Sequence, residues 1–412
     1  MQVLDCREMT EKEAVKTMIR RHNELLPGER LEVLVSRYEN VRGGLLESRL
    51  RHQEHGCEDG SSRLIVERGL AVVPGSAPGA HHVIANADGD VWTCQRGPLL
   101  ARINMETRRA AVVSSALRLG THLAFDAPRN RIVVPDRSVG ELVALRADNL
   151  EVEQRWKVPG APSGAAVSAD GIICTTGASS LTIVRPMAGD DETQIVRVGA
   201  RPHDPIIGSD GAFVFVPCLL EHDVVKVRLS DGEIMGRITV GHGPAHLASD
   251  PAKGRLYVAN SWDGTVAALN EDGVVLAHAD SGGWAHAIDI TPDGRWVWVA
   301  NFFDDTVAVF DTATMQRKAL LNTDPHPHGL NISPDGKRAV VTGYASSWVK
   351  VFDAENWQEL AHIEVGAGPS HTAFVPGSAM AAIACSVDDH IACVDLDAGR
   401  VTDIIDLKSY LN

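Results

Sequence analysis

The sequence predicts an all-β, eight-bladed β-propeller preceded by a small α/β domain. Three observations predict it: a repeat of about 41 residues, four short apolar segments in each repeat, and a change of composition near residue 71. A repeat of this length with four short strands is typical of a propeller blade. Helical repeats of similar length would instead place apolar residues every 3.6 positions.

Composition and charge narrow the class of protein. The chain has 412 residues, of which 44% are hydrophobic and 23% charged, as in ordinary globular proteins. The net charge of −15 argues against nucleic acid or an anionic membrane surface as a partner. The sequence has no run of about 18 apolar residues, so a membrane-spanning helix is not expected.

The N-terminus and the cysteines indicate a cytoplasmic protein. The opening MQVLDCREMTEKEA lacks the basic start and apolar run of a secretory signal. Seven cysteines are an odd number without CxxC spacing, which favours reduced thiols over a disulfide framework. A CxxCH motif is absent as well, so covalent attachment of a c-type haem is not expected.

Residues 1–71 form the first predicted domain. They hold 12 basic and 13 acidic residues and no tryptophan, whereas the remainder holds all eight tryptophans and 14 of the 17 histidines. The pattern predicts a strand at Val3–Asp5, a helix capped by Thr10, and a strand through Leu31–Val35. A second helix over residues 44–55 and a last strand at Leu64–Val66 complete the order β-α-β-α-β-β.

This order, with LDCREMTEKEA and LPGERLEVLV, resembles the small sulfur-carrier (TusA-like) family over about 70 residues. The family's reactive Cys-Pro pair opens the first helix, where this chain has Thr10 and Glu11. Cys6 lies earlier, at the first strand, where a buried inert thiol is expected. The resemblance therefore implies a degenerate member, with a docking or regulatory role as an alternative to sulfur transfer.

Residues 75–412 form the second predicted domain, a propeller of eight repeats. Clear copies read AHLASDPAKGRLYVANSWDGTVAALN, AHAIDITPDGRWVWVANFFDDTVAVFD and PHGLNISPDGKRAVVTGYASSWVKVFD. One anchor position per copy recurs every 40–43 residues, and the anchors are His81, His122, Ser163, His203, His246, His286, His328 and His371. In the sixth copy the apolar segments are His286–Ile290, Trp296–Asn301, Thr306–Phe310 and Lys318–Leu321. Seven blades are the alternative if the weak first copy pairs differently.

The repeats resemble the YVTN β-propeller family, through Leu256–Asn260, Val297–Asn301 and the Ser/Thr-Pro-Asp-Gly turns. The motifs Arg201-Pro202-His203-Asp204 and Gly243-Pro244-Ala245-His246 also resemble the d-type haem propeller of dissimilatory nitrite reductases and of the proteins that assemble that haem. This second resemblance implies a d-type haem as one possible cofactor.

The anchor residues are the main candidates for a functional site. The first strand of a blade is innermost and begins at one mouth of the central channel, so up to seven imidazoles are expected to ring that mouth. Imidazole is a common ligand of copper, zinc and iron. We expect the cofactor-binding residues to be His203, His246, His286, His328 and His371, with His246, His286 and His328 as metal ligands. The missing histidine at Ser163 predicts a gap open to a substrate or a vacant coordination position.

The repeated histidines and the neighbouring residues have alternative interpretations. Repeated histidines also occur in propellers as hydrogen-bonding residues within a blade. The ends of the second strands are expected to add Asp136, Cys218, Asn260, Asn301 and Cys385 to the rim of the funnel. Both thiols are soft-metal ligand candidates, although burial within a strand is preferred, and Asp304-Asp305 reads as a solvated turn rather than a cation site.

Two classes of function follow. In the first, a histidine-lined funnel binds copper, iron or a metallotetrapyrrole and acts on a small molecule, as an oxidoreductase or cofactor-handling protein in nitrogen or sulfur metabolism. In the second, the propeller is a non-catalytic interaction scaffold with the N-terminal domain as a second docking surface. Motifs for nucleotide binding and for common hydrolases, such as GxGxxG, GxSxG and HExxH, are absent from the sequence. The choice depends on whether at least three anchor imidazoles converge.

Overall fold

The computed structural model describes residues 2–9, 14, 30–35, 51–56, 62–67, 80–86, 88–95, 99–114, 117, 122–187, 191–407 and 409. The chain divides into two compact units, Met1–Val73 and Pro74–Asn412. Within the described ranges, no helix is long and apolar enough to cross a membrane.

The first unit contains a mixed four-stranded sheet. Its strands are β1 (Gln2–Asp5), β2 (Arg30–Val35), β3 (Arg51–Gly56) and β4 (Ser62–Glu67), in the order β1-β2-β4-β3. β1 pairs with β2 in parallel, which requires a crossover connection between them. β3 and β4 are antiparallel.

The helix predicted over residues 44–55 is wrong at its C-terminal end. Residues 51–56 lie in β3, because a full ladder of pairs with β4 outweighs the local pattern of this polar segment. Residues 44–50 and the first predicted helix, apart from the helical Ala14, lie outside the described residues. The predicted strands at residues 3–5, 31–35 and 64–66 are confirmed.

The second unit is a propeller of eight four-stranded blades in the described part of the chain. The strands of blades 1 to 4 are β5 (Ala80–Ala85), β6 (Val91–Gln95), β7 (Leu100–Asn104), β8 (Arg109–Ser114), β9 (Ala124–Asp126), β10 (Arg131–Asp136), β11 (Glu141–Arg146), β12 (Val152–Lys157), β13 (Ala165–Val167), β14 (Ile173–Thr176), β15 (Ser180–Arg185), β16 (Glu192–Arg197), β17 (Ile206–Ile207), β18 (Phe213–Cys218), β19 (Asp223–Arg228) and β20 (Ile234–Thr239). A short 3₁₀ helix, Ala127–Arg129, follows β9.

The second half of the ring repeats the same plan. The strands of blades 5 to 8 are β21 (Pro244–Asp250), β22 (Arg255–Asn260), β23 (Thr265–Asn270), β24 (Val275–Asp280), β25 (Ala285–Ile290), β26 (Trp296–Asn301), β27 (Thr306–Asp311), β28 (Arg317–Asn322), β29 (Pro327–Ile332), β30 (Arg338–Gly343), β31 (Trp348–Asp353), β32 (Glu359–Glu364), β33 (Pro369–Phe374), β34 (Met380–Cys385), β35 (His390–Asp395) and β36 (Arg400–Asp406).

The ring closes between blade 8 and blade 1. The inner strand β33 packs beside the inner strand β5, and all four strands of blade 8 come from the C-terminal repeat. The prediction of eight blades is therefore confirmed, and the seven-bladed alternative is wrong. In blade 6 the structure places strands at the four predicted segments to within one residue.

The core lies between neighbouring blades. All six residues of β26 are buried, whereas the outer strand β28 alternates between exposed and partly buried positions. The second strand of a blade is covered on both faces by its neighbours, so it reads as a continuous apolar run, while the outermost strand faces solvent. Trp298 of β26 is fully buried between blades 6 and 7. This packing fixes the inner strands, which carry the candidate site.

The thiols support the predicted reduced state. Five cysteines are described as free and buried: Cys6, Cys174, Cys218, Cys385 and Cys393. Burial raises the pKa of Cys6 to about 11 and that of Cys174 to about 12, which makes both poor nucleophiles at neutral pH.

We expect a thiol-specific reagent to react slowly with these five groups in the native protein, because the reactive thiolate is scarce and shielded. After denaturation without a reductant, titration should return close to seven thiols. Five or fewer would reveal a disulfide and contradict the prediction.

Candidate functional site: a ring of imidazoles in the propeller channel

The anchor histidines lie where the pairing of the inner strands is irregular. The pairing of inner and second strands shifts register between Pro244 and His246, and again at Ala285/Ile288, Pro327/Leu330 and Pro369/Thr372. A β-bulge changes the direction of a side chain relative to the regular pleat, and bulges are frequent next to functional sites. Each anchor histidine of blades 5 to 8 lies within or directly beside such a shift.

The imidazoles form a continuous chain of ring contacts around the channel. From His203 onward, consecutive ring centroids lie 4.7 Å (to His246), 4.8 Å (to His286) and 4.9 Å (to His328) apart. The chain continues to His371 at 5.1 Å. From His371 it passes to His82 at 4.9 Å and then to His122 at 4.8 Å. Seven blades thus contribute one imidazole each among the described residues.

Asp204 completes the ring at the blade without a histidine. Its Oδ2 accepts a hydrogen bond from Nδ1 of His122 at 2.9 Å, which bridges blades 2 and 4. Gly164 of blade 3 lies against this carboxylate, and a Cβ atom at that position would overlap Asp204 Oδ1. The predicted gap at Ser163 is therefore wrong: the absence of a side chain at Gly164 admits a carboxylate from the next blade.

His203, Asp204 and His246 have the geometry of a metal-binding group. Their donor atoms lie within 4.8 Å of one another. Asp204 Oδ2 is 3.6 Å from His203 Nδ1 and 3.5 Å from His246 Nδ1, beyond hydrogen-bond distance. Two ligands bound at about 2.1 Å to one tetrahedral ion would be about 3.4 Å apart. In the described part of the chain, buried His203 Nδ1, Asp204 Oδ1 and His246 Nε2 have no hydrogen-bond partner.

Burial and the repulsion between neighbouring imidazoles lower the pKa of several histidines of the ring. Burial, followed by the charge of a neighbouring imidazole, lowers the pKa of both His82 and His246 to about 3. The same causes lower the pKa of His286 well below its usual value, and burial also lowers that of His203. A neutral imidazole retains the lone pair that a metal requires.

Asp204 is the carboxylate of the cluster. Burial alone would raise its pKa, but the charges of His122 and His203 and the His122 hydrogen bond hold it well below the usual value. The side chains of His122, His203, Asp204 and His246 remain 19%, 27%, 26% and 20% exposed, so a small molecule can reach them. The cluster therefore places a partly exposed carboxylate among imidazole nitrogen donors.

We expect the metal-free protein to lose stability in acid. The folded pKa of His82 and His246, about 3, lies below the unfolded value of 6.5, so their contribution is present above pH 6.5 and lost as the pH falls. Each imidazole removes about 1.4 kcal/mol of unfolding free energy per pH unit in that range. Burial raises the pKa of Asp289 to about 6. This carboxyl group therefore contributes stability that increases as the pH falls from about 6 to 4.

Urea unfolding at pH 7 and pH 5 in the presence of a chelator measures this loss. The variant His82→Gln should show a shallower pH dependence than the native chain, because glutamine does not titrate. An equal pH dependence in both proteins would contradict neutral, buried imidazoles.

The structure brings all five predicted cofactor-binding residues into one cluster. These are His203, His246, His286, His328 and His371. His328 Nδ1 donates to the carbonyl of Ser370 at 3.3 Å, which leaves Nε2 as the nitrogen that could bind a metal. Of the three predicted metal ligands, His246 belongs to the group with Asp204, and His286 and His328 follow it along the ring.

Two residues of the ring are absent from the sequence-based candidates. His82, rather than the predicted anchor His81, contacts His122 and His371; the side chain of His81 lies outside the described residues. The register shift between Ala80 and His82 displaces the anchor by one position. Asp204 follows an anchor histidine directly, and the histidine missing from the preceding blade was the signal that could have found it.

The predicted rim residues at the ends of the second strands lie elsewhere. Asn260, Asn301, Cys218 and Cys385 are fully buried between blades instead of lining the funnel. Asn301 Nδ2 donates to Ser281 O at 3.2 Å, and the two thiols contact backbone carbonyls of the preceding connections. These residues tie each blade to the one before it, so the preferred interpretation of the thiols as buried strand residues is confirmed.

Asp304 and Asp305 also have structural roles. Asp304 accepts a hydrogen bond from the backbone N–H of Gly283, and Asp305 accepts one from that of His326 at 2.8 Å. Both carboxylates hold the connections that lead to anchor histidines.

Comparison with known proteins finds similarity to propeller proteins over part of the chain. A family model described as "Lactonase, 7-bladed beta-propeller" matches residues 187–353, less than half of the chain. A 6-phosphogluconolactonase of Serratia proteamaculans is 28% identical over 134 residues, covering 27% of this chain and 40% of the relative. One of Xenorhabdus nematophila is 24% identical over 201 residues, covering 43% and 60%. The aligned regions thus span 40–60% of the length of these curated relatives.

Solved structures share the fold at low sequence identity. The dihydro-heme d1 dehydrogenase NirN in complex with DHE superposes with a TM-score of 0.62 at 15% identity, over 71% of this chain and 68% of that one. Kuenenia stuttgartiensis hydrazine synthase gives 0.55 at 16% identity, over 79% and 98%. A functionally unknown protein from Desulfotomaculum acetoxidans gives 0.55 at 17% identity, over 67% and 95%. At these identities the likeness establishes a propeller fold.

Proposed function

We propose that the propeller binds a transition-metal ion in its channel and uses it for redox or ligand chemistry on a small molecule. The observation that carries the proposal is the group His203, Asp204 and His246, with two carboxylate–imidazole distances near 3.5 Å and buried donor atoms without hydrogen-bond partners. Bound metal would provide a Lewis acid or a one-electron centre beside the channel mouth.

The donor set favours iron or copper. Two imidazoles and one carboxylate suit ferrous iron, and the five further histidines of the ring favour copper when more nitrogen ligands join. His122 orients the carboxylate by its hydrogen bond, the kind of outer contact that tunes a metal ligand. A d-type haem would have to lie outside the imidazole layer, because neighbouring rings within it are about 5 Å apart.

Lactone hydrolysis is a second candidate function. The lactonase family model and the two relatives named 6-phosphogluconolactonase favour it.

For residues 1–71 we propose a degenerate TusA-like domain that acts as a docking or regulatory unit. The parallel β1–β2 pair joined by a crossover supports the predicted β-α-β start. The buried Cys6, with its raised pKa, argues against sulfur transfer through that thiol.

Elemental analysis combined with two assays tests the proposal. Protein produced with added iron, copper or zinc should retain close to one equivalent of iron or copper, and the visible spectrum should lack tetrapyrrole bands. Metal-dependent oxidation of a reducing dye, without release of acid from 6-phosphogluconolactone, would support the redox proposal. Metal-independent lactone hydrolysis would support the second candidate, and neither metal retention nor activity would favour the interaction scaffold.

A further inference from the structure

In blades 4 to 8, the connection that leads to the anchor histidine has one residue in the left-handed backbone conformation. Glycine fills this position as Gly243 (φ 67°) and Gly368 (φ 70°). The carbonyl of each accepts a hydrogen bond from the residue that follows the second strand, from Ser261 at 2.9 Å and from Ser386 at 2.8 Å. This bond identifies the equivalent position in the other blades.

Three blades place a large side chain at this position instead. The same hydrogen bond joins Phe302 to Trp284 (φ 61°), Tyr344 to His326 (φ 57°) and Leu219 to Arg201 (φ 53°). Bulky residues adopt positive φ rarely, and such residues concentrate at functional sites. Glycine would satisfy the backbone at lower strain, so the three side chains themselves require an explanation.

Blades 6 and 7 carry an aromatic wall, defined as Trp284, Phe302, Phe303, His326 and Tyr344. Phe302 stacks on His326 with centroids 4.6 Å apart and planes 15° apart, and Trp284 contacts Phe303 at 5.6 Å. The wall continues into the imidazole ring, because Phe302 lies 5.8 Å from His286 and Tyr344 lies 5.1 Å from His328. Apart from Tyr344, its members are partly exposed.

A basic edge, defined as Arg137 and Arg201, lies at blades 2 and 4 of the ring. Arg201 occupies the left-handed position before His203, and Arg137 follows the second strand of blade 2 as Phe302 follows that of blade 6. Burial is the main cause of the lowered pKa of His203, and the positive charges of Arg201 and Arg137 add to it. In a ring of eight blades, blade 2 faces blade 6, and blade 4, which Arg201 precedes, lies between them on the ring.

We propose that the channel mouth binds a planar conjugated anion, with its ring system on the aromatic wall and its acidic group on the basic edge. Aromatic faces stack on planar rings, and guanidinium groups bind carboxylates, sulfonates and phosphates. A molecule held in this way spans the mouth above His203, Asp204 and His246. The role of this molecule as the one that reaches the metal rests on the proposed function. Its binding at the mouth requires no metal.

Isothermal titration of the full chain with three matched probes tests the ligand class. The probes are 2-naphthoate, the uncharged 2-naphthalenemethanol, and the saturated decahydro-2-naphthoate. We expect 2-naphthoate to bind at least about tenfold more tightly than either of the others. Equal binding of all three, tighter binding of the saturated anion, or no binding of 2-naphthoate would overturn the proposal.

The variant Trp284→Gly separates a binding role from a structural one. We expect at least a tenfold loss of 2-naphthoate affinity without loss of thermal stability, because glycine adopts the observed φ readily; a rise in Tm of about 2 °C is expected. Trp357→Gly is the matched control, since Trp357 also has positive φ (68°) but lies in the turn between β31 and β32, at the opposite end of its blade. It should leave the affinity unchanged. A destabilised Trp284→Gly protein with native affinity would contradict the proposal.

The double variant Arg137→Gln/Arg201→Gln tests the basic edge. It should reduce the affinity for 2-naphthoate to that for 2-naphthalenemethanol and leave the latter unchanged. An unchanged preference for the anion would overturn the proposed role of the two arginines.

Titrations with chelator-treated and metal-loaded protein distinguish this inference from the proposed function. If the chain retains no metal but 2-naphthoate binds with the expected preference, the proposed metal function fails and the ligand site stands. If metal binds and 2-naphthoate shows no preference, the ligand site fails and the metal function stands.

Discussion

Replacing Asp204 by asparagine is expected to abolish metal retention while leaving the propeller folded. The carboxylate is the anionic donor of the group and lies about 3.5 Å from two imidazole nitrogens. Its loss removes one ligand and the charge that offsets the cation, so we expect the metal affinity to fall at least about 100-fold. His246→Ala should have a similar effect, because it removes a nitrogen donor from a partly exposed position. Elemental analysis after dialysis against a weak chelator measures both.

His278→Ala provides the control for these variants. His278 lies on β24, the outer strand of the blade that carries His246, and its side chain is exposed. This variant should retain the metal content and Tm of the native chain. Metal retention by Asp204→Asn would contradict the role of this carboxylate as a ligand. If the native chain binds no metal and Asp204→Asn unfolds, the ring has a structural role. Either result favours the interaction scaffold.

Gly164→Ala is expected to disrupt the ring although it replaces none of the candidate ligand residues. The φ angle of Gly164 is outside the left-handed region, so the backbone itself tolerates alanine, but the added Cβ would overlap Asp204 Oδ1 and approach Asp204 Cα to 2.8 Å. Either blade 3 or the carboxylate must move. We expect a loss of about 2 kcal/mol in unfolding free energy and at least a tenfold loss in metal affinity, measured by urea unfolding and metal competition.

Gly236→Ala is the matched control for this substitution. Gly236 lies on the outer strand β20, also outside the left-handed region, and a Cβ there would have no neighbour within 4 Å. Its unfolding free energy should stay within about 0.5 kcal/mol of the native value, with native metal affinity. If Gly164→Ala changed the unfolding free energy and the metal affinity no more than Gly236→Ala does, the Asp204 side chain would be able to move away from the added Cβ atom.

The repeat pattern predicted much of the candidate site as well as the fold. Period and turn motifs located His203, His246, His286, His328 and His371 at the start of inner strands, and the structure joins them in one chain of ring contacts. This success has a simple physical cause. In a propeller, equivalent positions of successive blades are neighbours around the axis, so a residue that recurs along the sequence also recurs around the channel.

The residues that the sequence did not identify share one feature: their positions depend on contacts between blades or on irregular pairing. His82 replaces His81 because a register shift interrupts the alternation of the inner strand, and a shift of one residue reverses which side chain faces the channel. Asn301 and Cys218, expected at the rim, are buried because the neighbouring blade covers the end of each second strand.

By itself, the sequence determined the number of blades, the positions of most strands and the arc of five imidazoles, because periodicity and turn chemistry are local properties that act alike in every copy. Only the tertiary structure decided how the ring closes at blade 3. Asp204 belongs to the repeat after the one that lacks a histidine, and it reaches His122 of blade 2 across Gly164 of blade 3, which lies between their blades. A contact between different repeats does not recur along the sequence, so the carboxylate that gives this circle of histidines the geometry of a metal-binding group is identified only when the blades are packed together.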